Sequence, residues 1–518
     1  MRNRLVLFIL LAFFSFIAFK RILGITYSKR IETTLEVAGD NKKELLKVID
    51  HYKNDNNKYK LKAAIFLLEH MSDQFHAVGD DVDHDRRSFH KMDSLLKSGH
   101  GSFNKSWDSI QKIHPPSSNN IELVSDASTI KANFLIRHID AAFTAWHYPW
   151  ARSLSFDDFC EYILPYKLKN EEPKVWNEEI QREYSWLSDS MKNSSDSRRA
   201  CLLINSDLKK RFYLNHRLVC YWDLNYSDLM KVRQGSCANL TQITTYIMRA
   251  MGVPVYMEMT SHWANKNSGH NWNGLLYNGK VLHFVGSESD PGKTKLEFTR
   301  TEWIRRKVGK VYRRMYSFQN AGFGIEIKDR KPVEELFLNN HLIDVTEQYV
   351  PVSNIKLNLK DAENNKYVYL CVFNENTWQT LAIGKIDFFN NVMFNNVGRE
   401  IVYSPMYYIK EELLPAGPPF ILKKDGSMEK LEGKSTLRMR VVLDKKYPED
   451  KTNKIFPNEK YELMYWNDEW KSLGVKVAKA DSLVYTNVPS NALLWLKNID
   501  KGKQERIFTY ENEKQVWW

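Results

Sequence analysis

Apolar positions along the chain change their period twice, and each change marks a different kind of architecture. An uncharged run from Leu5 to Phe19 lies between Arg2 and Arg4 on one side and Lys20 and Arg21 on the other. As a helix it would span roughly 22 Å, short of the ~30 Å hydrocarbon core, a length that suits the apolar stretch of a signal peptide. No small-residue cleavage site follows cleanly and no lipobox cysteine follows the run. A signal peptide and an uncleaved signal anchor over residues 1–24 therefore both stay open.

Residues 25–154 read as mainly helical. Leu61, Ile65, Leu68 and Met71 recur at helical spacing, and Ser125 to Ala145 forms a second helical stretch. Between them, Asp80, Asp81, Asp83, His84 and Asp85 resemble a calcium loop only at first sight. Counted from Asp81, the sixth place is Arg86 and the twelfth is Met92, where glycine and an acid are required. The cluster is expected to be a solvated loop, with no metal.

From 155 to 330 helical and strand patterns alternate, as in an α+β domain, opening with an apolar helix from Phe156 to Ile163. Beyond 331 the period drops to two. Lys366–Val372 and Thr436–Leu443 alternate as strands, and two β-sandwich domains are expected over 331–432 and 433–518. Pro415–Pro419 and the polar stretch 423–434 separate them.

Composition changes this picture little. At 518 residues, with 43% hydrophobic and 27% charged, the chain has the make-up of a multidomain globular protein rather than a disordered one. The formal net charge of +12 is spread among acids, with no basic stripe, so nucleic acid is not an expected partner. The 15 tryptophans suit β-sandwich cores first, and glycan- or protein-binding surfaces second. The five cysteines Cys160, Cys201, Cys220, Cys237 and Cys371 show neither disulfide framework nor zinc spacing. At least one thiol must be free, a notable property in a chain expected to be exported.

The chemistry concentrates in two segments. In Gly235-Ser236-Cys237-Ala238-Asn239-Leu240, Ser236 can cap a helix beginning at Cys237. Leu240, Ile243, Ile247, Met248 and Met251 supply its buried face, and Gly252 with Pro254 ends it. A cysteine on a first helical turn meets unpaired N–H groups and the positive dipole end, which favour thiolate. In Gly269-His270-Asn271-Trp272-Asn273, a histidine opens a strand that returns through the Asn278-Gly279 turn. A Cys–His pair on separate elements suits nucleophilic acyl transfer. The third member, a carboxylate to orient the imidazole, is Glu288 if Gly286 makes a bulge, with Asp290 as the alternative. Oxyanion donors beyond the Cys237 N–H are expected among Trp222, Tyr226 and Gln234.

With these residues in place, the chain resembles the transglutaminase-like superfamily, a branch of the papain-like cysteine fold, in its exported bacterial multidomain form. The likeness rests on Gly235-x-Cys237 with Arg249 and Gly252-Val253-Pro254 following, then on Gly269-His270-x-Trp272, across about 60 residues from 233 to 292. Thr241 stands where the family often has alanine, and the third box reads His283 to Gly292 rather than an aromatic strand ending in Asp-Pro. The resemblance implies a helix carrying the nucleophile on an antiparallel sheet carrying the histidine and acid. It also implies thioester chemistry on a peptide or protein, hydrolysis rather than cross-linking, and no cofactor. The second reading is an inactive scaffold whose β-domains hold a glycan or surface protein. Either way the expected location is extracytoplasmic, periplasmic or at the cell surface, held to the membrane if the leader is retained.

Overall fold

The computed structural model describes residues 27–97, 103–113, 115, 117–218, 220–292, 306–319, 335–359, 362, 365–433, 436–448, 454–501 and 505–518. The leader expected over 1–24 and the boundary expected at 330 lie outside the described residues. Among the described residues no helix is long and apolar enough to cross a membrane. The described chain mixes helices and many sheets, with a strand-rich C-terminal part. It divides into two compact units, the first built from Met1–Ser195, His216–Arg233 and Arg249–Val253, the second from Asp196–Asn215, Gln234–Met248 and Pro254–Trp518. The division expected at 154 falls inside the first unit.

The first unit is mainly helical, with one antiparallel pair, Phe75–Val78 and Glu122–Ser125. The helix Lys58–Glu69 forms as its sequence suggests but buries Ala63, Ala64, Leu67 and Leu68, leaving Leu61 and Ile65 half-exposed. It packs against Lys42–Tyr52 and Ala132–Trp146. The stretch expected as one helix from Ser125 breaks into Asp126–Thr129 and Ala132–Trp146, because Ile130 and Lys131 are extended. The helix Phe156–Tyr162 starts under Ser155, whose Oγ accepts from the Asp158 N–H at 3.0 Å.

The acidic cluster is a correction. Asp80, Asp81 and Asp83 form the first turn of a helix, Asp80–Lys97, rather than a loop. Carboxylates there oppose the positive end of the helix dipole, which stabilises the turn. The deepest charge in this unit is Asp126, fully buried and held by His76 at 2.7 Å, Tyr166 at 2.7 Å and Lys167 at 2.8 Å. Burial alone would raise its carboxyl, but Lys167 and these hydrogen bonds hold it below the ordinary carboxylate range.

The second unit carries helices α1 (Ser197–Arg211) and α2 (Cys237–Ala250, whose last two residues count with the first unit). Its antiparallel sheet comprises β1 (Val255–Thr260), β2 (His270–Tyr277), β3 (Lys280–Phe284), β4 (Tyr312–Arg314) and β5 (Leu342–Asp344). The spatial order is β3-β2-β1-β4-β5. Beyond it, the pair Val352–Asn358 and Asn391–Gly398 shares one apolar core with a six-stranded sheet, through Ile355, Val392, Phe394, Val368 and Leu370. The pair Arg438–Leu443 and Leu483–Pro489 likewise shares a core with a five-stranded sheet. A third cluster joins Tyr369, Phe373 and Trp378 of the former to Trp466, Trp495 and Ile507 of the latter. Much of the aromatic excess is therefore spent on packing these β-layers.

Candidate active site

The helix bearing Cys237 begins where Ser236 predicts. Ser236 gives its N–H and its hydroxyl to Asn239 Oδ1, both at 3.0 Å, and its Oγ accepts the Asn239 N–H at 3.4 Å. Reciprocal bonding of this kind satisfies donors that a first turn leaves open. The far end stops at Gly252, whose φ of +69° favours glycine. A side chain there would also meet the Ala145 carbonyl at 2.3 Å.

Strand β2 supplies the opposite wall. Asn273, fully buried, donates to the Thr241 carbonyl at 3.1 Å and the Thr245 hydroxyl at 3.0 Å, which binds this face of the strand to α2. Alternation puts Asn271 on that face as well. Its main-chain and side-chain N–H groups donate to the Cys237 sulfur, as does the N–H of Ala238. His270 and Trp272 take the other face. The His270 ring stacks between those of Trp263 and Trp272, at centroid distances of 6.0 and 5.9 Å. The sequence pairs His270 with the thiol; in the structure its neighbour Asn271 acts on Cys237 through both main chain and side chain.

Burial is the largest influence on the Cys237 thiol and pushes it up; the Asn271 and Ala238 donors pull back, and the charge of Glu288 adds to the rise. Glu288 therefore acts on the thiol. The bulge expected at Gly286 is replaced by a turn, in which the N–H groups of Glu288 and Ser289 both donate to the Val285 carbonyl at 3.0 and 2.8 Å. Ser287 has a φ of +65° within it. Asp290 faces elsewhere: it accepts from Lys209 at 2.7 Å and from Asn205 at 3.0 Å, both on α1.

Asn205 was not legible as a site residue. Fully buried, it accepts the Ser287 N–H at 2.9 Å and donates to the Ser289 carbonyl at 2.7 Å, fixing the whole turn. A lone asparagine inside a polar helix carries no sequence signal for such a role. Of the oxyanion candidates, Trp222 gives its indole N–H to Asp85 at 2.9 Å, so that donor is committed. Tyr226 is the buried first residue of a helix, Tyr226–Val232, capped by Asn225. Gln234 pairs with Tyr213 in a short parallel bridge and accepts from Asn215 at 2.8 Å.

A second polar cluster, also unforeseen, lies on the Trp272 face. Glu258, buried on β1, accepts from Arg313 at 2.8 Å, from Trp272 at 3.1 Å and from Tyr349, which also meets His283. Burial opposes its charge, yet His283 and Arg313 hold it below the usual range. The same burial, with the Glu258 charge, pushes the Tyr349 hydroxyl up.

No family model matches the chain, and no curated protein matches it. Among solved structures, a proposed cysteine protease from Cytophaga hutchinsonii is 11% identical, over 22% of this chain and 38% of its own, with a TM-score of 0.19. The chain thus spans well under half the length of that relative. A red sea bream transglutaminase is 8% identical over 87% of this chain and 78% of its own, with a TM-score of 0.21. At these values the overlap decides neither fold nor function.

Proposed function

We propose that the chain performs cysteine-dependent amide-bond chemistry, with Cys237 as nucleophile, outside the cytoplasm. The observation that carries this reading is the sulfur's setting: first turn of a capped helix, with N–H donors from Asn271 and Ala238 all favouring thiolate. Burial outweighs them, so the thiol needs a base to take its proton. His270 is the proposed acceptor. It is the first residue of β2, next to Asn271, which acts on the sulfur. The sulfur then attacks the amide carbonyl, the imidazolium protonates the leaving amine, and a thioester remains. Water, activated by the same imidazole, would release the acid; hydrolysis is the favoured outcome over transfer to a second amine. Glu288 would stabilise the imidazolium. The proposed substrate is a peptide or protein, with the β-rich parts presenting the enzyme to a glycan or surface protein.

One observation favours the rival, an inactive scaffold: burial raises the thiol rather than lowering it. Iodoacetamide labelling of Cys237 against pH, in wild type and His270→Ala, separates the two. A rate near neutral pH that falls at least tenfold without His270 supports the enzyme. A rate indifferent to His270 at every pH overturns it in favour of the scaffold.

A further inference from the structure

We infer that the turn at Phe388 and Phe389 is a membrane-contact tip that inserts into an anionic lipid surface. These two adjacent phenylalanines are 94% and 74% exposed, Phe388 more so than any other large apolar residue described. Exposure of this kind usually belongs to a loose loop, but this turn is tightly built. Asp387 accepts the N–H groups of Phe389 and Asn391, each at 2.8 Å, and gives its own N–H to the Asn391 carbonyl at 2.8 Å. The Asn390 carbonyl accepts the Leu359 N–H at 2.8 Å, tying the turn to the neighbouring segment, and Asn390 adopts a φ of +57°. The rings pack edge to face with centroids 5.5 Å apart. A fixed backbone thus holds two apolar side chains outward.

Size and charge select the occupant. Two phenylalanines offer about 400 Å² at most, roughly half of what one partner contributes to a stable protein interface. A convex tip of that area suits shallow burial at the boundary of headgroups and acyl chains. Met393, half-exposed, stands in register with Lys356 on the paired strand. Lys356, Lys366 and Lys385 are exposed on the flanking segments; Lys356 acts on Asp387, and the Lys366 carbonyl accepts the Ile386 N–H at 2.9 Å. Each basic residue held near an anionic leaflet strengthens binding about fivefold. The whole chain carries a formal +12, so it approaches such a surface without net repulsion. This reading stands apart from the chemistry at Cys237.

The test uses the full chain with para-fluorophenylalanine at position 388, mixed with phosphatidylcholine–phosphatidylglycerol vesicles. The expected result is a fluorine resonance broadened by doxyl-labelled lipid and shielded from a soluble gadolinium chelate. Vesicle binding by a Phe388→Ser/Phe389→Ser double variant should fall on the order of tenfold or more. Fluorine that stays open to the chelate while the chain sediments with vesicles would overturn the inference, since another segment would then make the contact. Shielding that needs no vesicles and grows with protein concentration would overturn it in favour of self-association.

Discussion

The side chain of Asn374 meets Ser268 as one strand meets another: its Oδ1 accepts the Ser268 N–H at 2.9 Å and its Nδ2 donates to the Ser268 carbonyl at 3.2 Å. The same Nδ2 reaches the carbonyls of Trp263 and Lys266, both at 2.8 Å. A fully buried amide from the β-rich part therefore sets the loop that leads into His270 and supports Trp263 against its ring. Asn374→Ala is expected to cost about 2–4 kcal/mol, since several buried groups lose their partner. Asn374→Asp should do no better, because a carboxylate cannot donate. Amide exchange over 261–269, compared with the rest of the chain, checks both; unchanged protection in that loop would refute the role.

Glu288 and Asp290 should separate cleanly by charge removal. Because the Glu288 charge raises the Cys237 thiol, Glu288→Gln should lower its pKa and speed alkylation at a fixed pH below it. Asp290 is committed to Lys209 and Asn205, so Asp290→Asn should leave the titration in place while loosening the turn. Turnover on a peptide amide, if found, should fall in Glu288→Gln despite the more reactive thiol. The reverse ranking of the two variants would contradict the assignment.

His138 places a pH limit on the first unit. Burial is the main cause that lowers its pKa to about 4, and Arg249 contributes; its Nε2 lies 2.6 Å from the Leu164 carbonyl. The unfolded chain takes up this proton below about 6.5 while the folded chain does not. Stability is thus present above that value and is lost as pH falls toward 4, by about 3 kcal/mol. His138→Gln should flatten this part of the pH dependence, read from protection of amides in Ala132–Trp146. An equal slope in both proteins would assign the loss to other groups.

A Cβ on Gly286 would stand 2.0 Å from the Thr244 hydroxyl oxygen, and its N–H donates to Asn273 Oδ1 at 3.1 Å. Gly286→Ala should therefore destabilise by roughly 2–3 kcal/mol. Adding Thr244→Ala should recover part of that loss, giving a coupling of about 1 kcal/mol or more in a double-mutant cycle. Strictly additive effects would mean that the Thr244 hydroxyl and methyl are not the cause, leaving only its Cβ at 2.5 Å.

The parts legible in advance were those written locally. The cap at Ser236, the stop at Gly252, the Asn278-Gly279 turn with Tyr277 opposite Lys280, and the helix after Ser155 all depend on neighbours within a few residues. What escaped was set by distant partners. The acids at Asp80–Asp83 read as loop because composition hides their place on a helix start. Alternation along β2 gave His270 and Asn271 opposite faces, but which face meets α2 is decided by Asn273 bonding to Thr241 and Thr245. Glu258, with Arg313 and Tyr349 drawn from 55 and 91 residues away, had no local mark at all.

The ties between α2 and β2 close over short stretches of chain. Asn273 meets Thr245 and Thr241 across 28 and 32 residues, whereas Asn374 reaches back 106 to 111 to hold the loop before His270. Closing a loop costs more as it lengthens, and contacts near in sequence form sooner. During synthesis and refolding, the wall of Cys237 and Asn271 should thus assemble first, with Trp263 and His270 fixed only once the strand ending at Asn374 has docked. Pulse-labelled exchange would see protection in α2 and β2 precede protection in 261–269. A nascent or truncated chain would then hold its thiol long before the ring beside it is in place.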